Sequence, residues 1–415
     1  MTSNSDDSSN AGAQSVIYLD HHATTPCDQR VVAEMLPWLT ENFANPHSDS
    51  HSMGRIAGDG LLAAVQEIAT TLNGPAENLL ITSGATESIN LAMRGVMTHP
   101  RNRRKKMVVA STEHPAVLDV AADLTRDAIE TVWVGTDQCG LIDLDALAGA
   151  VDEQTGLVNV MLANNETGTI APIAEVARIT HDAGALLHCD ATQAMGPLAV
   201  DAKAMDIDLV SASAHKFYGP KGIGFLLAGN GNRRVRLRPQ IIGGGQQRGL
   251  RSGTMNPAGV VAMASALTLA TQEREDETAR LLKLRDRFWN LLSSAIEGLQ
   301  INGPRLELNQ HELSSGDQAG QPHLFRLAGN LNFRSPRVEG ETWMAATPGV
   351  AFSSGSACSS ADPTPSHVLL AIGLSESESR RSVRFGLGRF TTEADIDEAA
   401  RQLIASHHRL SQIGD

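Results

Sequence analysis

Apolar positions along the chain fall into two rhythms. Leu61, Val65, Ile68 and Leu72 recur every three or four residues, the spacing of an amphipathic helix, and residues 173–183 read the same way. Between such stretches lie short apolar runs bounded by turn residues: 78–82, 107–110, 131–134, 157–163, 185–189, 208–211 and 223–228. These runs do not alternate apolar with polar. A strand apolar on both faces is buried on both, which marks a mostly parallel sheet covered by helices. The pattern predicts an α/β fold, with a large domain over 16–265 built on a mostly parallel seven-stranded sheet. A helical pattern from about 257 to 296 follows and leads into a smaller α+β domain over 266–415. Residues 1–15, rich in Ser, Asn and Asp, read as a disordered tail. A polar insert at 306–321 reads as a surface loop.

Composition narrows the function classes. A chain of 415 residues exceeds what one core usually organises. Its 41% hydrophobic and 20% charged residues are ordinary for a globular protein. The net charge of −13 argues against nucleic acid or an anionic membrane surface as main partner. One basic run, 101–106, reads as a solvated loop ahead of a strand. The four cysteines, Cys27, Cys139, Cys189 and Cys358, form no CxxC pair and fit a reducing cytoplasm. No stretch approaches 18 apolar residues, so no transmembrane helix is expected, and the N-terminus lacks signal-peptide character. No metal site is expected, because His188 beside Cys189 is too thin a ligand set.

Three groups fall at predicted strand ends, where open α/β sheets bind ligands. Ser83-Gly84-Ala85-Thr86-Glu87-Ser88 runs from a strand through glycine into a helix. Its N–H groups and hydroxyls suit a phosphate, and equally suit an ordinary helix cap. Asp190 ends the run before Ala191-Thr192-Gln193. A buried carboxylate there needs a partner such as a protonated pyridine nitrogen, unless it caps the next helix. Lys216, in Ser213-Ala214-His215-Lys216, sits among small residues where an amine can form a Schiff base, although most lysines are simply solvated.

Taken in order, these motifs resemble one family. Tyr18-Leu19-Asp20-His21-His22-Ala23-Thr24-Thr25-Pro26, the Ser83–Ser88 segment, Thr112-Glu113-His114, Asn164-Asn165-Glu166-Thr167-Gly168, Asp190-Ala191-Thr192-Gln193, His215-Lys216 and Arg251-Ser252-Gly253-Thr254 are similar to the NifS/IscS-like cysteine desulfurases. These are fold-type I, class V aminotransferase-like enzymes that use pyridoxal 5′-phosphate. The likeness spans about residues 16–405. It implies that Lys216 carries the cofactor and moves protons, that Asp190 pairs with the pyridine nitrogen, and that His114 stacks on the ring and serves acid–base steps. It further implies that Gln193 bonds the ring oxygen and Asn165 lies near ring and substrate. Thr86, Ser213 and His215 are implied to hold the phosphate, with Ala85 beside them. Thr254 is implied to reach the phosphate of a neighbouring subunit, making a homodimer.

The sulfur chemistry has its own segment. Phe352-Ser353-Ser354-Gly355-Ser356-Ala357-Cys358-Ser359-Ser360-Ala361-Asp362 is built almost wholly of small polar residues. It reads as a mobile loop carrying an exposed thiol, against the common alternative of a small buried hydrophobe. The family likeness makes Cys358 the persulfide carrier of a long-loop desulfurase. In Ser382-Val383-Arg384-Phe385-Gly386-Leu387-Gly388-Arg389 an arginine fork suits the carboxylate of L-cysteine. The resemblance assigns that role to Arg384 and a structural one to Arg389. The implied products are L-alanine and a Cys358 persulfide, delivered to a sulfur acceptor or an iron–sulfur scaffold protein. The housekeeping iron–sulfur branch usually carries a longer tail after this motif, which leaves the acceptor open. Selenocysteine lyase and other class V reactions remain alternatives on the same residues.

Overall fold

The computed structural model describes residues 16–306, 325–355 and 364–413. The N-terminal tail, nearly all of the polar insert and Cys358 lie outside the described residues. Each of the seven apolar runs overlaps a strand of one sheet. In chain order these are β1 Leu79–Thr82, β2 Lys106–Ala110, β3 Glu130–Val134, β4 Thr155–Asn159, β5 Leu186–Asp190, β6 Leu209–Ser213 and β7 Gly224–Ala228. Their spatial order is β1-β7-β6-β5-β4-β2-β3. β2 to β6 run parallel to their sheet neighbours within that set, and β7 lies antiparallel between β1 and β6. β4, β6 and most of β5 are buried on both faces, as the uninterrupted apolar runs require.

Helices cover both faces. Ser52–Thr71 turns Ala57, Leu61, Ala64 and Ile68 inward, on the same side as Pro257–Gln272. Ala85–Met97 and Pro115–Leu124 pack on the other side over Leu80, Met107 and Leu226. The helical pattern expected as one stretch is broken at Glu273 into Pro257–Gln272 and Arg274–Ala295. Glu273 closes the first helix with its N–H on the Leu269 carbonyl, 3.0 Å, and its carboxylate is held by Arg30 and Arg389. Neither glycine nor proline marks this break. The basic run also departs from a solvated loop: Arg104 donates to the carbonyls of Thr155 and Ala183, and Lys106 pairs with Asp152.

A second core gathers Leu19, Leu281, Phe288, Phe333, Trp343, Phe352, Phe385 and Leu403. It backs a four-stranded sheet of β8 Gln300–Ile301, β9 Asn330–Arg334, β10 Ser353–Ser354 and β11 Ser382–Gly386, in the order β10-β11-β9-β8. Phe385 stacks on Phe352 with centroids 4.7 Å apart and meets Phe288 edge-on at 5.1 Å. The free edge of β1 is closed by a side chain. The Gln247 amide accepts from Ile81 N–H at 2.6 Å and donates to the Ile81 carbonyl at 2.9 Å. Among the described residues, no helix is long and apolar enough to cross a membrane.

Candidate active site

The carboxyl ends of five strands converge on one cleft of about 480 Å³, a volume in the range of small-molecule sites. β1 delivers Ser83 to Thr86, β2 leads to His114, and β4 leads to Asn165. β5 ends on Asp190 with Gln193 beyond it, and β6 delivers Ser213, His215 and Lys216. The cofactor-site residues expected from the sequence therefore share this cleft, with Thr254 as the exception. Thr254 is exposed on the loop beyond Gly253 and does not line it. Arg384 is also outside the lining. It is 4% exposed on β11, within the electrostatic reach of His22.

The cup at the end of β1 has the form an anion needs. Gly84 takes φ +151°, a conformation that favours glycine, and provides no side-chain cap to the helix Ala85–Met97. The first N–H groups of a helix have no partner within it. Here they open beside Ser83, Thr86, Ser213 and His215, where the helix dipole favours negative charge. His215 Nδ1 lies 3.0 Å from Thr24 Oγ1, and burial holds its imidazole down to about 4.

Asp190 lies at the floor, 5% exposed, with Oδ1 accepting from Thr192 N–H at 2.9 Å. Two of its titratable neighbours are shifted toward their neutral forms. His188 has both ring nitrogens engaged, to Asn159 Oδ1 at 2.9 Å and Ser211 Oγ at 2.8 Å, and burial lowers it to about 4. Glu113 is 1% exposed. Burial first and the nearby Asp190 second raise it to about 8, although its Oε1 accepts the Met161 N–H. Neither of these two neighbours supplies a counter-charge to Asp190. His114 caps the helix Pro115–Leu124, its Nδ1 accepting from Ala116 N–H at 3.1 Å. That bond places the proton of the neutral ring on Nε2. The side chain is part-solvated in the open cleft, yet burial, opposed by Asp190, still draws its titration below the usual value.

Lys216 closes the one-turn helix Ala214–Lys216 after β6. Its Nζ donates to the carbonyls of His22 at 2.5 Å and Ala23 at 2.9 Å, and Gln193 Nε2 donates to the same His22 carbonyl at 2.7 Å. Tyr218 follows at φ +66°, unfavourable for a bulky residue. The conformation is held by its N–H on Thr25 Oγ1 and by Arg389 stacked 4.3 Å from its ring centroid. Arg389 itself is buried against Asp28, Glu273 and Glu277.

The residues suit pyridoxal phosphate on chemistry alone. The uncapped helix N-terminus would take the phosphate, the Asp190 carboxyl could pair with the ring nitrogen, and the Lys216 amine lines the same cleft. Sequence reasoning passed over the segment 18–25. It served only as a fingerprint, with no role for His21 or His22, yet its carbonyls receive Lys216 and its Thr24 meets His215. Nothing in its composition signals that position. Glu113 was likewise read only as part of a motif.

The comparisons with known proteins follow this geometry. Residues 17–399 match the family model described as Aminotransferase class-V. A protein named Cysteine desulfurase IscS from Anaeromyxobacter sp. (strain Fw109-5) is 43% identical over 397 residues, covering 96% of this chain and 94% of the relative. One of the same name from Rickettsia bellii (strain OSU 85-389) is 39% identical, covering 96% and 92%. Among solved structures, a NifS-like protein superposes with a TM-score of 0.83 at 32% identity, covering 94% of this chain and 98% of its own. A structure titled SspA in complex with cysteine gives 0.75 at 30%, covering 90% and 99%. The fold and site define a class V aminotransferase-type enzyme. The chain belongs to that family, within its cysteine desulfurases.

Proposed function

We propose that this chain is a pyridoxal-phosphate-dependent cysteine desulfurase that moves the sulfur of L-cysteine onto Cys358 and releases L-alanine. The observation that carries the reading is the convergence of Lys216, Asp190, His114 and the Ser83–Thr86 cup on one cleft. When bound, the cofactor supplies an electron sink for carbanionic character at the substrate Cα. The protein residues do the rest. Thr86, Ser213, His215 and the helix N-terminus hold the phosphate, and Asp190 keeps the ring nitrogen protonated. The Lys216 amine takes and returns the proton at Cα, while His114, with its proton on Nε2, is set to donate. Gln193 and Asn165 orient the ring and substrate, and Arg384 takes the carboxylate. In the sulfur step the Cys358 thiolate attacks the substrate Sγ. The S–S bond forms, the Cβ–Sγ bond breaks, and its electron pair takes up a proton to give alanine.

The same reading makes the enzyme a cytoplasmic homodimer with Thr254 serving the partner's phosphate. Exposure of Thr254 away from its own cleft supports this. The sulfur acceptor is an iron–sulfur scaffold or related carrier protein. One experiment tests the core of the proposal. Wild-type enzyme given one equivalent of L-cysteine should release alanine and gain the mass of one sulfur on the peptide holding Cys358. Sulfur found on Cys27, Cys139 or Cys189 instead would overturn the relay.

A further inference from the structure

Arg384 is the residue this reading gives to the substrate carboxylate, and its surroundings are unequal on the two sides of the guanidinium. Nη2 donates to Asp20 Oδ1 at 2.9 Å and to Ser353 Oγ at 2.8 Å. Ser353 Oγ in turn donates to the same Asp20 Oδ1 at 2.9 Å, closing a triangle. Nε is buried and has no partner among the described residues. A guanidinium donor left unmade in the interior is costly, so a buried unpartnered Nε beside a saturated Nη2 points to a ligand acceptor. The backbone beneath is fixed on both sides. Arg384 pairs across β11 with Asn332 on β9 and with Ser353 on β10, and Asp20 bridges to Gly386 on the same strand. What the backbone leaves free is the rotation of the long side chain, and the triangle removes it.

We propose that Asp20 is a positioning residue for the substrate carboxylate: with Ser353 it holds Arg384 by Nη2 and thereby keeps the Nε donor for the incoming acid. The proposal rests on Arg384 as the carboxylate anchor. It also joins that anchor to β10, the strand that leads toward the sulfur-carrying segment. Asp20 does not itself line the cleft, and its carboxylate acts through Arg384. A carboxylate beside Arg384 has an opposite possible effect, which is to compete with the substrate for the cation. The two effects predict opposite signs.

The test uses the holoenzyme with Asp20→Ala, Asp20→Asn and Ser353→Ala, with L-cysteine as substrate. Cysteamine, which lacks the carboxylate, serves as a probe, and L-alanine as a calorimetric ligand. Loss of one charge-assisted bond corresponds to about a tenfold effect on binding. Asp20→Ala should raise KM for L-cysteine and weaken L-alanine binding by about that factor, with kcat changed less than about twofold. Cysteamine binding should not move. Asp20→Asn keeps an acceptor oxygen and should recover much of the loss, and Ser353→Ala should fall between. If Asp20→Ala does not fold, the Asp20→Asn and Ser353→Ala double variant takes its place and should exceed either single change. Unchanged or tighter L-cysteine binding in Asp20→Ala, or in the double variant that replaces it, would overturn the proposal, as would an equal loss for cysteamine. Arg384→Ala separates the underlying reading. If that variant still prefers L-cysteine over cysteamine as the wild type does, the anchor assignment fails whatever Asp20 does.

Discussion

Glu113→Gln isolates one buried proton. In the folded protein burial and Asp190 raise the Glu113 carboxyl to about 8, whereas an ordinary glutamate titrates at 4.5. Below 4.5 folded and unfolded chains both hold the proton, and its contribution to stability is fully present. From there to about 8 the folded protein keeps a proton that the unfolded chain gives up, so stability falls as pH rises. Above 8 the loss is complete. One proton corresponds to about 1.4 kcal/mol per pH unit, or about 5 kcal/mol across the window. Glutamine keeps the shape and an oxygen for the Met161 N–H, and it cannot ionise. Its amide nitrogen falls where Glu113 Oε2 has no partner among the described residues, a cost of about 1–3 kcal/mol. The variant should therefore be no more stable than wild type at pH 5 and more stable by about 2–4 kcal/mol at pH 9. Urea unfolding midpoints of both proteins from pH 5 to 9 provide the comparison. Titrations common to both, including those of the buried histidines, cancel in the difference. A difference that stays flat between pH 5 and 8 would show that Glu113 is ionised in the fold and refute the reasoning.

Four further outcomes are expected. Lys216→Ala should lose the cofactor's visible absorption band and all turnover, and a variant with wild-type activity would exclude Lys216 as the cofactor lysine. Cys358→Ala should keep that band and bind L-cysteine but form no persulfide, as read by mass on the intact chain. His22 and His188 are buried and lowered to about 3 and about 4, chiefly by that burial. The unfolded chain protonates them near 6.5, so stability should fall as pH drops below that value, by about 1.4 kcal/mol per unit for each, measured by denaturation. Phe385→Ala removes a ring stacked on Phe352 and Phe333 in the second core and should cost about 3–5 kcal/mol in unfolding free energy.

The sequence made some features legible for physical reasons and hid others for equally physical ones. Strands buried on both faces write themselves as unbroken apolar runs, and all seven could be placed that way. The strand-end positions of Asp190 and Lys216 follow from those runs. The break at Glu273 left no mark, because it is set by Arg30 and Arg389, which are distant in sequence. Residues 18–25 are short, mixed in polarity and without periodicity, so their passage beneath Lys216 could not be read from pattern. The neutral state of Glu113 depends on how completely it is enclosed, a property of the assembled sheet and not of the Thr-Glu-His motif.

The Gln247 amide on Ile81 has a consequence during synthesis. β1 is made early, but its sheet neighbour β7 comes much later in the chain and Gln247 later still. Until residue 228 has been made, both edges of an apolar four-residue strand are open to any other nascent chain offering an extended backbone, and the outer edge stays open until residue 247 follows. Once folded, Gln247 presents the strand with a substitute peptide group in side-chain form, so a second molecule finds Ile81 already paired. A change to Gln247 would therefore be expected to show itself less in the finished enzyme's chemistry than in the fraction of chains that reach it unaggregated.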